Sequence, residues 1–277
     1  MPEPTTVAFL GEPFSFHYLA AQEFFGSEII LIPQGSFDDI MKAVSMVEDT
    51  LGIIAVDNSL AGNITDKGKT NIQRIIENDL IITDEIYFHV NLHIAALQKK
   101  NMQEIEIVYS HPVAIKESSN FLKEFAHLKF EETNSTAGGI KKIADEKLTN
   151  AAAIGNRKAI EQYGLTILHE NIDNHPDNFT RFFIITASKV NFQQTTIQNP
   201  KASCVLQAAD LAHAEKIVSE HQATISKTVQ FKKGTEEYYY LEIESERMQH
   251  IDDVKFILQR KSENTRILGI YEKKKIV

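Results

Sequence analysis

Four short polar groups recur at equivalent places in the chain: Ser15 with His17, Asp57 with Asn58 and Ser59, Ser110 with His111, and Ser135 with Thr136. Each lies just past the C-terminal end of a segment that reads as a strand, and three of them open a segment of helical periodicity. Free N–H groups at helix starts, with hydroxyls beside them, bind carboxylate or phosphate oxygens. Taken singly each group is also an ordinary helix cap, because Ser, Thr and Asn are the usual residues there. Four together, with an arginine, point to a site for a small anion. The arginine lies in HPDNFTRFFII, where Asn178, Thr180, Arg181 and Phe182 enter a strongly apolar strand. A guanidinium buried by such neighbours requires a carboxylate partner. The sequence leaves open whether that partner is a structural Asp or Glu or a ligand.

Other chemistries lack their residues. Gly11-Glu12-Pro13-Phe14 has none of the further glycines of a dinucleotide fingerprint or phosphate loop, and no GxSxG elbow occurs. Ten histidines show no HExxH or comparable spacing, so no metal site is expected. Cys204 is the single cysteine, which excludes an internal disulfide; it is expected in a core and in a reducing cytoplasm. The net charge of −9 divides into about −10 before Lys201 and +1 from it onward. With no basic stripe, nucleic acid is not expected as a partner. The short apolar runs and the N-terminus MPEPTTVAFLG predict neither a membrane span nor a secretory signal.

These groups need elements to hold them. Alternating β-branched and helical patterns through residue 190 predict an α/β fold with a largely parallel sheet. Strands are expected at Thr5–Leu10, Glu28–Ile32, Gly52–Val56, Ile105–Tyr109, Lys129–Glu132, Ala151–Ile154 and Arg181–Thr186. Helices are expected at Ser15–Phe25, Phe37–Asp49, Asn71–Glu77, Ala114–Phe125, Thr136–Lys147 and Arg157–Tyr163, with Ser36 and Asp39 capping the second. LIITDEIYFHVNLHIAAL, Leu80 to Leu97, reads as an extended crossing between two lobes. The polar segment NFQQTTIQNPKAS reads as a linker. From Ala202 the pattern is βαββαβ, a ferredoxin-like small domain. Two units result, residues 1–190 and residues 200–277. In open α/β sheets the ends of the strands that carry the polar groups are where ligands bind.

In this order the segments resemble the prephenate dehydratase family over essentially the whole chain. VAFLGEPFSFHYLAA resembles the opening strand and loop, with Phe14 where a Gly is usual. GIIAVDNSLAGNI resembles the Glu-Asn-Ser motif with Asp57 for Glu, VYSHPVAIKESSNFL the Ser-His-Pro motif, and ETNSTAGGI the Ser-Thr-Ala motif. The stretch ending Asn178-Phe179-Thr180-Arg181-Phe182 is similar to the Thr-Arg-Phe signature. The resemblance implies a two-lobed, periplasmic-binding-protein-like catalytic domain with the substrate in its cleft, followed by a ferredoxin-like ACT domain. It implies a stand-alone form, with no helical mutase segment ahead of Thr5, and a homodimer or homotetramer. The implied reaction is loss of CO2 and water from prephenate in phenylalanine biosynthesis, which restores aromaticity and so implies no cofactor and no metal. Arg181 is then expected to pair a substrate carboxylate and Thr180 to donate to the departing hydroxyl. Ser15, Asn58, Ser59, Ser110, His111, Ser135, Thr136, the Ala137 N–H and Phe182 are expected to bind substrate, with His111 the alternative acid. Arogenate is the alternative substrate, and a silent dicarboxylate-binding protein the alternative of another class. The family's phenylalanine-binding signatures are absent at Ala202–Val205 and Thr224–Lys232, which predicts weak or lost feedback by L-Phe.

Overall fold

The computed structural model describes residues 4–187, 197–261 and 264–274. The expected linker, residues 191–203, lies outside these at 191–196, and its last four residues, 200–203, are strand rather than linker. The chain begins with β1 (Thr5–Leu10), α1 (Phe16–Phe25), β2 (Ile29–Gln34), α2 (Phe37–Met46) and β3 (Thr50–Asn58), which wind a parallel sheet with β1 central. Three two-residue strands, β4 (Gly62–Asn63), β5 (Thr65–Asp66) and β6 (Lys69–Thr70), lead to α3 (Asn71–Glu77). β7 (Leu80–His89) forms the far edge of this sheet and β8 (His93–Ala96) belongs to the next, so the string Leu80–Leu97 is the crossing between lobes.

The second lobe contains β9 (Ile107–Ser110), α4 (Pro112–Glu117), α5 (Ser119–Leu122), β10 (Lys129–Glu132), α6 (Thr136–Glu146), β11 (Ala151–Gly155), α7 (Arg157–Gln162) and β12 (Thr166–His169). Its strand order is β10-β9-β11-β8-β12. The chain then returns: β13 (Phe179–Ala187) inserts between β3 and β7, antiparallel to both. The first sheet is therefore mixed rather than largely parallel. β13 has no sequence feature that marks its direction, since a strand buried on both faces reads as the same apolar run either way. The helix expected over Ala114–Phe125 is two short ones meeting at Ser118, whose N–H is shared between the Ala114 and Ile115 carbonyls.

The C-terminal unit runs β14 (Pro200–Gln207), α8 (Leu211–Glu220), β15 (Thr224–Lys233), β16 (Glu236–Glu244), α9 (Met248–Lys261) and β17 (Arg266–Glu272), in the order βαββαβ. Its sheet, β15-β16-β14-β17, is covered on both faces. Cys204, Leu206, Leu241 and Ile243 pack under α8 and α9, while Val205, Tyr240, Leu268 and Tyr271 pack against Ile54, Ile75 and Phe183 of the first lobe. Gly269 is required at this contact, because a Cβ there would collide with the Ile82 carbonyl. Among the described residues no helix is long and apolar enough to cross a membrane.

The lobes are latched by Phe14. Its φ is +67°, in the left-handed region where glycine is at home. From there the ring reaches Tyr18 of the first lobe at 5.1 Å and Tyr163 of the second at 6.3 Å. Asn156 Nδ2 donates to the Phe14 carbonyl at 2.8 Å.

Candidate active site

Successive residues of a strand face opposite sides of the sheet. On β13, Thr180 pairs with Asn58 and Arg181 with Asp57, so the two polar positions of each strand separate onto two faces. The register slips between Arg181 and Phe182, leaving Val56 as the extra residue of a bulge. On one face Thr180 Oγ1 accepts a hydrogen bond from Asn58 Nδ2 at 3.2 Å. The same nitrogen donates to Asn178 Oδ1 at 2.7 Å, and Asn178 Nδ2 donates to Glu117 Oε2 at 3.0 Å. Asn58 Oδ1 meanwhile accepts from the Leu60 and Ala61 N–H groups at 2.8 Å each. Every group of the Asn58 amide is thereby fixed, and its orientation leaves Thr180 as an acceptor. Among the described residues nothing takes the proton of the Thr180 hydroxyl, so it remains available to donate.

Glu117 brings the second lobe into this chain. It is buried, its Oε1 has no partner among the described residues, and burial raises its pKa against the Asn178 hydrogen bond. His111 caps α4 by accepting from the Val113 N–H at Nδ1, 3.3 Å, which assigns the proton of the neutral ring to Nε2. Burial lowers its pKa, although Glu132 and Asp66 act the other way. Near it stands His17 of α1. That imidazole accepts from the Ala55 N–H at 3.3 Å and meets the Phe182 ring edge at 4.9 Å. Burial, with His111 adding to it, holds His17 at about 3.

Several expected ligands are tied elsewhere. Ser15 caps α1 and donates to the Leu10 carbonyl at 3.0 Å, Ser110 is buried and donates to the Ile154 carbonyl at 2.8 Å, and Ser59 donates to the Asp177 carbonyl at 3.0 Å. These hydroxyls clip backbone to backbone and have no proton left for an anion. Phe182 lies in the core of the first lobe rather than at the cleft. Ser135 differs: it accepts from the Gly138 N–H at 2.9 Å as the cap of α6, followed by buried Thr136 and Ala137 in the first turn. Ser135 also lines a cavity of about 620 Å³ with Gly11, Glu12, Tyr109, Glu131 and Lys142, and it is the only expected site residue there. Three carboxylates, Glu12, Glu131 and Glu132, face one lysine in that cavity, so an anion beside Ser135 depends on local donors rather than on the general field.

Arg181 occupies the opposite face and corrects the expectation that it awaits a substrate carboxylate. Arg181 is 3 % exposed, and its guanidinium already has three carboxylates. Glu242 of β16 takes a two-pronged grip, Nη1 to Oε2 at 2.8 Å and Nη2 to Oε1 at 2.6 Å. Asp57 accepts from Nε at 3.0 Å and Glu85 from Nη1 at 3.2 Å. Burial opposes the charge, but Glu242 and Asp57 outweigh it and raise the pKa well above the ordinary value. Correspondingly, burial is outweighed at Glu242, which Arg181 and then Lys201 and Lys227 hold at about 2. Lys201, itself buried, bonds Glu85 at 2.9 Å. Sequence reading grouped His17 and Asp57 with the polar clusters but gave them no role, and it missed Glu117, Glu85 and Glu242. The available signal was charge inside an apolar strand: Glu242 stands between Leu241 and Ile243 in a run that otherwise reads as core, and buried charges occur only where paired, whereas Lys201 lay in a polar segment and Glu85 beside Asp84.

Comparison with known proteins places this arrangement. The prephenate dehydratase family model matches residues 7–190. A bifunctional chorismate mutase/prephenate dehydratase of Buchnera aphidicola is 26% identical over 250 residues, and the match covers 86% of this chain but only 63% of that protein's length. Among solved structures, a prephenate dehydratase of Arthrobacter aurescens in complex with L-Phe is similar at a TM-score of 0.82 and 19% identity, covering 98% of this chain and 92% of that one. A protein described as a novel type of quorum-quenching acylase is similar at a TM-score of 0.75 and 21% identity, covering 97% and 98%. At such identities these two structures show the fold alone, whereas the family model spans the two lobes and every motif that frames Thr180. The chain belongs to the prephenate dehydratase family.

Proposed function

We propose that the protein converts prephenate to phenylpyruvate, with Thr180 as the proton donor. In this reaction the ring carboxylate leaves as CO2 and its C–C electron pair enters the ring. The C4–O bond breaks, and the departing oxygen takes a proton and leaves as water. The observation that carries the reading is the direction of one hydrogen bond: Asn58 donates to Thr180, which keeps the Thr180 proton for the leaving oxygen. As that proton departs, the Asn58 N–H stabilises the charge left on Oγ1, and solvent restores the proton. Proton donation contributes about 10² to 10⁴-fold, with positioning supplying much of the rest.

With Arg181 saturated, the dianion falls to local donors: the N–H groups of Thr136 and Ala137 in the first turn of α6, the Ser135 hydroxyl, and Nε2–H of His111. The two-lobed, periplasmic-binding-like body, residues 1–190, then holds the substrate between strand ends. The unit at residues 200–277 is read as an ACT domain whose phenylalanine site is weakened or lost, since Ile225, Val229 and Phe231 alternate with Ser226, Thr228 and Gln230 on β15 where ligand-binding residues are expected. A cytoplasmic homodimer or homotetramer fits this reading.

The test is a time course of phenylpyruvate formation from prephenate by the purified protein, repeated with arogenate and with L-Phe added. Turnover of prephenate that is indifferent to L-Phe is expected, and Thr180→Ala lowers kcat by 10² or more with KM little changed. Absence of turnover in a folded sample overturns the reading in favour of a binding protein. Unchanged kcat in Thr180→Ala transfers the donor role to His111 or water.

A further inference from the structure

We propose that Glu242 and Lys227, both from the C-terminal unit, are positioning residues for Thr180 and Asn58. The proposal rests on the reading of Thr180 as donor. The two residues that carry the site chemistry are each adjacent in sequence to a residue gripped from the C-terminal sheet. Arg181, next to Thr180, is held by both oxygens of Glu242 at 2.8 and 2.6 Å. Asp57, next to Asn58, accepts from Lys227 Nζ at 2.5 Å and from Arg181 Nε at 3.0 Å. Glu242 is itself fixed, accepting from the Tyr240 hydroxyl at 3.0 Å, and Tyr240 shares Ser203 with Tyr271. Arg181, Glu242, Tyr240, Ser203 and Tyr271 are buried, so water does not substitute for a lost partner there, while Lys227 and Asp57 are partly exposed.

Geometry makes the grip directional. A two-pronged guanidinium–carboxylate pair fixes a plane as well as a distance. Arg181 and Thr180 share one peptide unit on opposite faces of β13. Setting the height and tilt of one therefore sets the other. Lys227 acts in the same way on the β3 end that carries Asn58. The link from the C-terminal unit to the reacting oxygen is two residues long and needs no extended pathway. Misplacement of a catalytic group by 1 Å costs on the order of 10²-fold in rate, so a small movement of β16 reaches turnover.

The experiment measures Glu242→Gln, which keeps shape and removes charge, and Lys227→Gln, whose side chain is less buried, each alone and combined with Thr180→Ala. Glu242→Gln is expected to lower kcat about 10- to 100-fold with KM within about twofold, and Lys227→Gln about 3- to 10-fold. In the Thr180→Ala background each is expected to change kcat less than about twofold, because the group they position is gone. Equal losses in both backgrounds, as a merely structural role gives, overturn the proposal. If Glu242→Gln does not fold, the Lys227 pair decides. Hydrogen exchange provides a readout independent of activity: amides of Phe179–Phe182 exchange faster in either folded variant if the grip positions β13. Unchanged exchange there overturns the proposal even if the wild type turns out not to use prephenate.

Discussion

One nitrogen, Asn58 Nδ2, serves two acceptors, Asn178 Oδ1 at 2.7 Å and Thr180 Oγ1 at 3.2 Å. The hydrogen-bond polarity of the site is set at this atom. Asn58→Asp keeps an oxygen for the Leu60 and Ala61 N–H groups but replaces the donor with a second acceptor. The Thr180 hydroxyl then turns to donate inward. Asn58→Asp is expected to lower kcat by 10² or more. Asn58→Ala, which also orphans the two N–H groups, costs a further ~1–3 kcal/mol of stability. Steady-state kinetics beside urea unfolding of the two variants checks the separation. Equal activity in wild type and Asn58→Asp contradicts it.

Phe14 combines an unfavourable backbone with a useful ring. Its φ of +67° costs a residue with a Cβ about 1–2 kcal/mol that glycine does not bear. Phe14→Ala loses the contacts to Tyr18 and Tyr163 and keeps that cost, whereas Phe14→Gly loses the contacts and the cost together. Phe14→Gly is therefore expected to be the more stable of the two by about 1 kcal/mol, the reverse of the usual order. Thermal unfolding of both variants gives the sign directly.

Acid sensitivity follows from His17. Burial holds its folded pKa at about 3 against an ordinary 6.5. Below pH 6.5 the unfolded chain binds a proton that the folded chain refuses, so stability declines as pH falls from 6.5 toward 3. The slope is about 1.4 kcal/mol per pH unit for such a group once well below its ordinary value. His93 and His111, also lowered by burial, act in the same direction. Glu117, Asp84 and Asp173, raised by burial, offset part of it. Glu242, held at about 2, adds a loss below its ordinary 4.5. His17→Gln, which retains an acceptor for Ala55, is expected to flatten the decline between pH 6 and 5. Urea midpoints across that range test it, and parallel curves for the two proteins refute it.

Cys204 reports on the integrity of the C-terminal unit. It is fully buried under α8 and α9, and burial pushes its thiol up to about 12. An aromatic disulfide reagent at pH 8 is expected to leave it unmodified in native buffer and to titrate one thiol in denaturant. Rapid labelling of the folded protein would show that the β14 face opens locally.

Local pattern carried much of the architecture. Thr5–Leu10, Asn71–Glu77 and Lys129–Glu132 match residue for residue, and Ser36 and Asp39 cap α2 through bonds at 2.6 and 3.1 Å, because periodicity and caps are properties of neighbours. The caps were legible because they are local: Ser15 and Ser135 are the caps that their types allowed, whereas the Asn58–Thr180 hydrogen bond joins two named residues 122 apart and could not be read from neighbours. Arg181 was not legible in the same way. Its partners lie 124, 96 and 61 residues away at Asp57, Glu85 and Glu242. A guanidinium in an apolar strand announces that it needs a carboxylate without saying whose. The antiparallel return of β13 escaped for a related reason, since strand direction is fixed by where the chain has been.

That return has a consequence for the nascent chain. The first sheet is missing its second-last strand until all of the second lobe has been translated, so β7 and β3 wait for residues 179–187 with an apolar seam between them. Even then Asp57, Glu85 and Arg181 lack Lys201, Lys227 and Glu242, which emerge from the ribosome later still. At roughly 5–20 residues per second the seam stays open for many seconds. The N-terminal lobe, first to be made, is thus among the last parts to become native, and its exposed seam is the surface on which a chaperone would act.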